Sequence, residues 1–143
     1  MTQKEKDLLV KELCARLSYG VKVEVTNTQG YHHDNVAKKG EKTIDTLKGF
    51  DSSCNCFTVY HDNPFDWDWT CSEIDIEDIK PYLFPLSLIT PKQIAELAHL
   101  TANIDRYFEQ ALVEMEFYHK HHIDYRGWIE IGLAIDASEL NIY

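Results

Sequence analysis

Apolar residues recur along the chain with two periods, and the alternation of those periods outlines the elements. Leu9, Leu13 and Leu17 stand four apart, with Leu8, Val10 and Cys14 widening the stripe. That spacing predicts an amphipathic helix, because positions three and four apart share one helical face. Thr2 followed by Glu5 forms a capping-box pattern at its start, and Gly20 supplies the stop. Val21, Val23 and Val25 then alternate with Lys22 and Glu24, the period of a strand with one buried face. Periodicity is lost over 27–42 among Gly30, His32, His33, Asp34, Asn35, Lys38, Lys39 and Gly40, which reads as a turn or hairpin tip with a small basic cluster. Thr43–Leu47, Cys56–Tyr60 and Trp69–Ile74 are rich in β-branched and aromatic residues and read as three further strands. Ile76, Ile79, Tyr82, Leu83 and Phe84 form an apolar segment that Pro81 and Pro85 restrict to a short helical turn or an edge strand.

Thr90, Pro91 and Gln93 make the clearest helix start: a cap residue, a proline at the first helical position and a glutamine at the third. With Ile94 as zero, Leu97, Ala98, Thr101, Ile104, Phe108, Ala111, Leu112, Met115 and Tyr118 fall within an arc of about 160°. One helix over 91–120 is expected, with Thr101–Asn103 as its point of weakness. Asp124 can cap a short final helix through Trp128 and Ile131 that Gly132 ends. No repeat or linker divides the chain, so residues 1–143 are expected to form one domain. Because the strands are grouped between helices, the expected class is α+β: an N-terminal helix, a small antiparallel, curled and barrel-like sheet, a long covering helix and a short C-terminal helix.

Charge adds a second pattern to the first. The net charge is −10, from 14 basic and 24 acidic residues, which disfavours direct binding to nucleic acid or to an anionic membrane. No segment approaches the roughly 20 apolar residues of a spanning helix and the N-terminus has no apolar signal core, so a cytoplasmic setting with reduced cysteines is expected. The distribution is uneven: residues 1–48 carry +2, 49–79 carry −8 and 80–143 carry −4. No lysine or arginine lies between Lys48 and Lys80. The acids there mix with aromatics, and Tyr60, Asp62, Phe65, Asp66, Trp67, Asp68 and Trp69 form the densest run. Aromatics supply buried anchors and carboxylates supply steering, so segment 57–78 suits a protein partner with a basic surface. The competing reading makes the aromatics core and the acids a solvated face.

Two further constellations bear on chemistry. Cys54, Cys56, His61 and Cys71 offer the thiolate and imidazole donors that zinc takes. Their spacing is poor, since Cys-x-Cys on a strand points both thiols to one face and leaves His61 on the other. His119, His121 and His122 cluster where the long helix ends, where imidazoles can share a metal, change charge near neutral pH, or simply interact with the helix dipole. Glu96–His99 and Glu116–His119 match a half-motif of di-iron bundles, but on one helix the two glutamates lie about 160° apart in azimuth and about 30 Å apart along the axis. No serine elbow, Gly-rich phosphate loop or dinucleotide fingerprint occurs. A Cys14 or Cys71 nucleophile that meets a histidine in space is the remaining enzymatic alternative.

Three segments, Lys11–Val21, Asp78–Ser87 and His121–Glu130, resemble a family of small uncharacterised proteins of anaerobic gut bacteria, some carried by prophage or other mobile elements. Ser18 and Trp128 stand where that family would have Pro and Leu. The resemblance implies a bacterial cytoplasmic setting and brings no activity or cofactor. It directs attention to His122, Asp124, Tyr125 and Arg126. By residue type, Asp124 is a cap, Arg126 a carboxylate-binding donor, and Tyr125 and Trp128 are packing anchors. The combined expectation is a non-catalytic interaction domain without a cofactor, with zinc binding and a small enzyme as the alternatives. Oligomeric state is not legible at this level.

Overall fold

In the computed structural model, which describes residues 1–26, 40–61 and 71–143, the first helix begins with the expected reciprocal cap. The Thr2 hydroxyl accepts from the Glu5 backbone N–H, and the Glu5 carboxylate accepts from Thr2 N at 2.6 Å. This starts α1 (Gln3–Arg16) by satisfying donors that the first turn leaves free. A 3₁₀ turn over Leu17–Tyr19 follows, and Gly20 closes it with φ of 66°, a left-handed value that costs glycine little. The expected stripe is shifted by one position. Arg16, not Leu17, joins Leu9, Glu12 and Leu13 on the buried face, because the tighter 3₁₀ winding carries Leu17 off the α-helical register.

Two compact units divide the chain: Met1–Tyr82 with Ile142–Tyr143, and Leu83–Asn141. The first holds α1 and an antiparallel sheet built from β1 (Lys22–Thr26), β2 (Lys42–Asp51), β3 (Cys56–His61), β4 (Cys71–Asp75) and the opening residues of β5 (Ile79–Pro85). Its strand order is β4-β3-β2-β1-β5. The sheet is not closed into a barrel. Closure requires tilted, staggered strands whose two edges meet, whereas the ladder between β1 and β5 spans only Ile79–Pro81 and that between β3 and β4 five residues. A 3₁₀ turn over Ile76–Asp78 leads into β5, so the apolar segment around Pro81 supplies the expected turn and a strand; the strand is not at an edge, because β5 pairs with β1 through Ile79–Pro81 and with a further strand beyond.

β2 runs four residues beyond the expected Thr43–Leu47. Leu47 pairs with Val59 but Gly49 pairs with Thr58, so Lys48 is an extra residue in a β-bulge. The bulge resets the alternation and brings Phe50 opposite Phe57, ring centroids 4.8 Å apart. The core draws on Leu9, Leu13, Val21, Val23, Leu47, Phe57, Val59 and Ile79, all fully buried, each leucine-sized side chain contributing about 1.5–3 kcal/mol. Polar groups lie among them. Glu12 and Arg16 are buried together, with Nη2 and Oε1 2.7 Å apart, and buried Asp45 accepts from the Thr43 hydroxyl at 2.6 Å. The Tyr143 hydroxyl accepts from Lys22 N and donates to the Tyr82 carbonyl, and burial of that group pushes its pKa up to about 12.

In the second unit, Phe84 and Pro85 of β5 pair in parallel with β6 (Ile123–Asp124), and β7 (Ile135–Asp136) also joins β5, with Ala137 N donating to Leu83 O. Strand pairing is therefore mixed rather than purely antiparallel, and the class is α+β. The single helix expected over 91–120 is instead two. α2 (Pro91–Thr101) starts at the Thr90–Gln93 capping box, and α3 (Tyr107–Lys120) begins after Arg106, whose backbone is extended. The Thr101 hydroxyl bonds back to Leu97 O at 3.0 Å, a competing bond of the kind that ends helices in short polar residues. Glu96 accepts from Lys120 Nζ at 2.9 Å, tying the two helices side by side. The short final helix does not form. Gly127 and Gly132 adopt φ of 72° and 75°, and 125–134 runs through turns and bends.

Removing one member of a buried ion pair strands the other. Arg16→Met should therefore cost about 3–5 kcal/mol in urea unfolding, and pairing it with Glu12→Leu should recover a substantial part. Equal loss in the single and double variants would show that Glu12 is not the group that Arg16 compensates.

Candidate functional site

β3 and β4 are neighbouring antiparallel strands, and within segment 57–78 Tyr60 pairs with Cys71. Asp62, Phe65, Asp66, Trp67, Asp68 and Trp69 lie outside the described residues. Tyr60 is half-buried, with Lys48 Nζ 5.7 Å from its ring centroid. Phe57, at the start of the segment, belongs to the core. Carboxylates nevertheless surround the strand ends. Asp51 and Asp75 are exposed, and hydrogen bonds from Ser53 hold the Asp51 carboxyl below its ordinary value. Glu77 is exposed and is held low in the same way by Lys6 Nζ at 2.6 Å. β4 ends the strand order of this unit.

The cysteine positions are spread over the sheet. Cys54 is exposed in the turn between β2 and β3, and the Cys56 thiol donates to Cys54 O at 3.3 Å. Cys56 pairs with Asp75, whereas Cys71 pairs with Tyr60 at the other end of the ladder. Four residues of strand separate those ends, about 13 Å, and His61 lies at the Cys71 end, opposite Asp45. A zinc ion holds all its donors within about 2.3 Å. The register places the Cys56 and Cys71 backbones at opposite ends of the ladder. Among the described residues, no group of three or more His, Cys, Asp or Glu is placed to hold a metal. Burial pushes the Cys14 thiol up, away from the reactive thiolate.

In the second unit the three histidines take different partners. His119 Nε2 lies 3.3 Å from the Tyr125 hydroxyl. His121 Nε2 lies 3.3 Å from Glu96 Oε1, the oxygen that Lys120 also reaches, and these two partners hold the Glu96 carboxyl below its ordinary value. His122 is buried with φ of 54°, and its carbonyl accepts from Phe84 N at 2.9 Å. Buried Asp124 accepts from Trp128 N at 2.9 Å and Ile129 N at 2.8 Å. It caps a loop rather than a helix. Tyr125 stacks on Tyr118 with centroids 5.2 Å apart, and the Arg126 guanidinium lies 5.0 Å from the Tyr125 ring centroid. Of the residues that the resemblance highlights, Asp124 therefore clamps the 125–134 loop, and Tyr125 docks on α3 through Tyr118 and His119.

Two cavities open beside this clamp. One, of about 380 Å³, is lined by Ser87, Asp124, Tyr125 and Glu130 among others. The other, of about 340 Å³, is lined mainly by Phe84, Leu88, Ile89 and Ile123. Neither is lined by a histidine or a thiol. Both Asp124 oxygens already accept from backbone N–H groups, which occupies the one buried carboxylate facing the larger cavity. No helix among the described residues is long and apolar enough to cross a membrane. Comparison with protein-family models, with curated proteins and with solved structures finds no match.

What the sequence pattern did not disclose is the outward face of α2 and α3. The stripe was legible, but its natural reading was core, and the described structure leaves it open. For the clamp, Asp124→Ala should remove acceptors from two N–H groups and cost about 2–4 kcal/mol, with amide exchange accelerated first at Trp128 and Ile129. Unchanged exchange at those two amides would contradict the clamp.

Proposed function

We propose that this chain is a non-catalytic interaction domain that meets a basic protein surface through its acidic, aromatic segment 57–78. The observation that carries the reading is charge segregation: eight acidic and no basic side chains over 49–79, in a chain whose first 48 residues are net positive. The anchoring of that segment at both ends, by β3 and by the marginal strand β4, supports it. Concentrated like charge accelerates encounter with an oppositely charged partner, and aromatics such as Trp67 and Trp69 supply desolvated anchors once contact is made. The spread of the cysteine positions and the separately engaged histidines give catalytic and metal readings no comparable support.

A lysine- and arginine-rich peptide of about 20 residues serves as the probe, with stopped-flow tryptophan fluorescence as the readout. Association should slow by about tenfold or more as salt rises from low to physiological levels. Asp66→Lys with Asp68→Lys should lower the low-salt rate and flatten its salt dependence, while the unfolding midpoint stays unchanged. Equal rates and equal salt slopes in the parent and the variant would overturn the reading.

A further inference from the structure

The turn that joins β2 to β3 brings together two thiols that the interaction reading does not use. Cys54 lies in that turn and is exposed, and Cys56 opens β3 half-buried, paired with Asp51 and Asp75. Asn55 between them has φ of 56°, a left-handed conformation that asparagine tolerates better than most side chains do. The bend matters for distance. An extended chain sets residues two apart about 6.6 Å from each other, close to the limit of about 6.8 Å between the Cα atoms that a disulfide spans. Winding through a left-handed middle residue, the mirror image of the α-helical turn, shortens that separation to roughly 5.5 Å, among the commonest values for a disulfide. The Cys56 thiol already turns back over the intervening peptide, donating to Cys54 O at 3.3 Å, and the Cys54 thiol donates to Asp51 O at 3.8 Å. Asp51 steadies the turn by accepting from Ser53 N and from the Ser53 hydroxyl.

We propose that Cys54 and Cys56 form a dithiol site that exchanges with small disulfides of the glutathione type, Cys54 attacking and Cys56 resolving. Exposure sets the order, because the attacking sulfur must reach a disulfide in solvent. The Cys54 thiolate attacks one sulfur of the incoming disulfide, a mixed disulfide forms, and the first small thiol leaves as a thiolate that takes up a proton. The Cys56 thiolate then attacks Cys54 Sγ, the Cys54–Cys56 bond forms, and the second small thiol leaves in the same way. The chain gives up two hydrogens and two electrons, and the small disulfide receives them as two thiols. The second step is favoured by proximity, since a resolving thiol held one residue away acts at high effective concentration. Cys14 is a poorer competitor, because burial pushes its thiol up and lowers its thiolate fraction. A disulfide closed over a single residue in an exposed turn is strained and accessible, which makes it readily reversible. Neither cysteine belongs to segment 57–78, so a failure of either proposal leaves the other standing.

Mass spectrometry of the reduced full chain treated with glutathione disulfide at neutral pH, with a chelator present, tests it. Any tryptic peptide that holds Cys54 also holds Cys56 and Cys71, because no lysine or arginine lies between Lys48 and Lys80. Cys71→Ser is therefore the variant that locates the bond. In the parent and in Cys71→Ser alike, that peptide should lose two hydrogens while Cys54 keeps no glutathione, and a dithiol reductant should restore both thiols. Cys56→Ser combined with Cys71→Ser should instead hold glutathione on Cys54, the adduct lasting at least about tenfold longer than in Cys71→Ser alone. Circular dichroism of both variants should match the parent's. A Cys71→Ser chain that keeps its two thiols overturns the proposal. So does one whose Cys54 retains glutathione as long as the double variant does.

Discussion

Apolar surface must be taken out of water, and the second unit has more of it on its helices than its own strands and loops cover. Phe117 and the half-buried Val113 face inward while Phe108, Leu112 and Met115 face outward. Small units bury a limited fraction of their surface in any case, and here the shortfall is concentrated on one helical face. The break at 102–106 matters for this reason. It folds one long amphipathic segment into a pair of helices, with Lys120 and Glu96 fixing the pair side by side.

The first unit solves a different problem. Its sheet and helix bury enough aliphatic and aromatic side chains to form a core, yet three charged side chains, Glu12, Arg16 and Asp45, are enclosed with them. Arg16 and Glu12 satisfy one another at i and i+4, and Asp45 accepts from the Thr43 hydroxyl. Such groups add little net stability but penalise any arrangement that separates them. A unit of this kind holds β3 and β4 in register, from Cys56 opposite Asp75 to Tyr60 opposite Cys71.

Local grammar was legible in the residues. Thr2 with Glu5, Thr90 with Gln93 and the stop at Gly20 formed as their chemistry requires, and the valine alternation marked β1 correctly. Features that depend on tertiary balance were not legible. The bulge at Lys48 interrupts the period of two, so the extension of β2 to Asp51 has no continuous signature. Asp124 resembles a helix cap, but glycines at Gly127 and Gly132 let its carboxylate reach N–H groups four and five residues on, and a loop results. The parallel pairing of β6 involves two residues, too few to carry a pattern. Most consequentially, periodicity reports that a face is apolar, not what covers it.

Hydroxyl-radical footprinting of the unmodified chain addresses the two-sided helix directly, because Phe108, Met115 and Phe117 carry side chains that oxidise readily and lie on its two opposite sides. Labelling at Phe108 and Met115 should be heavy and labelling at buried Phe117 several-fold lighter. Equal labelling at Phe108 and Phe117 would contradict an account in which one apolar side of α3 is enclosed and the other open.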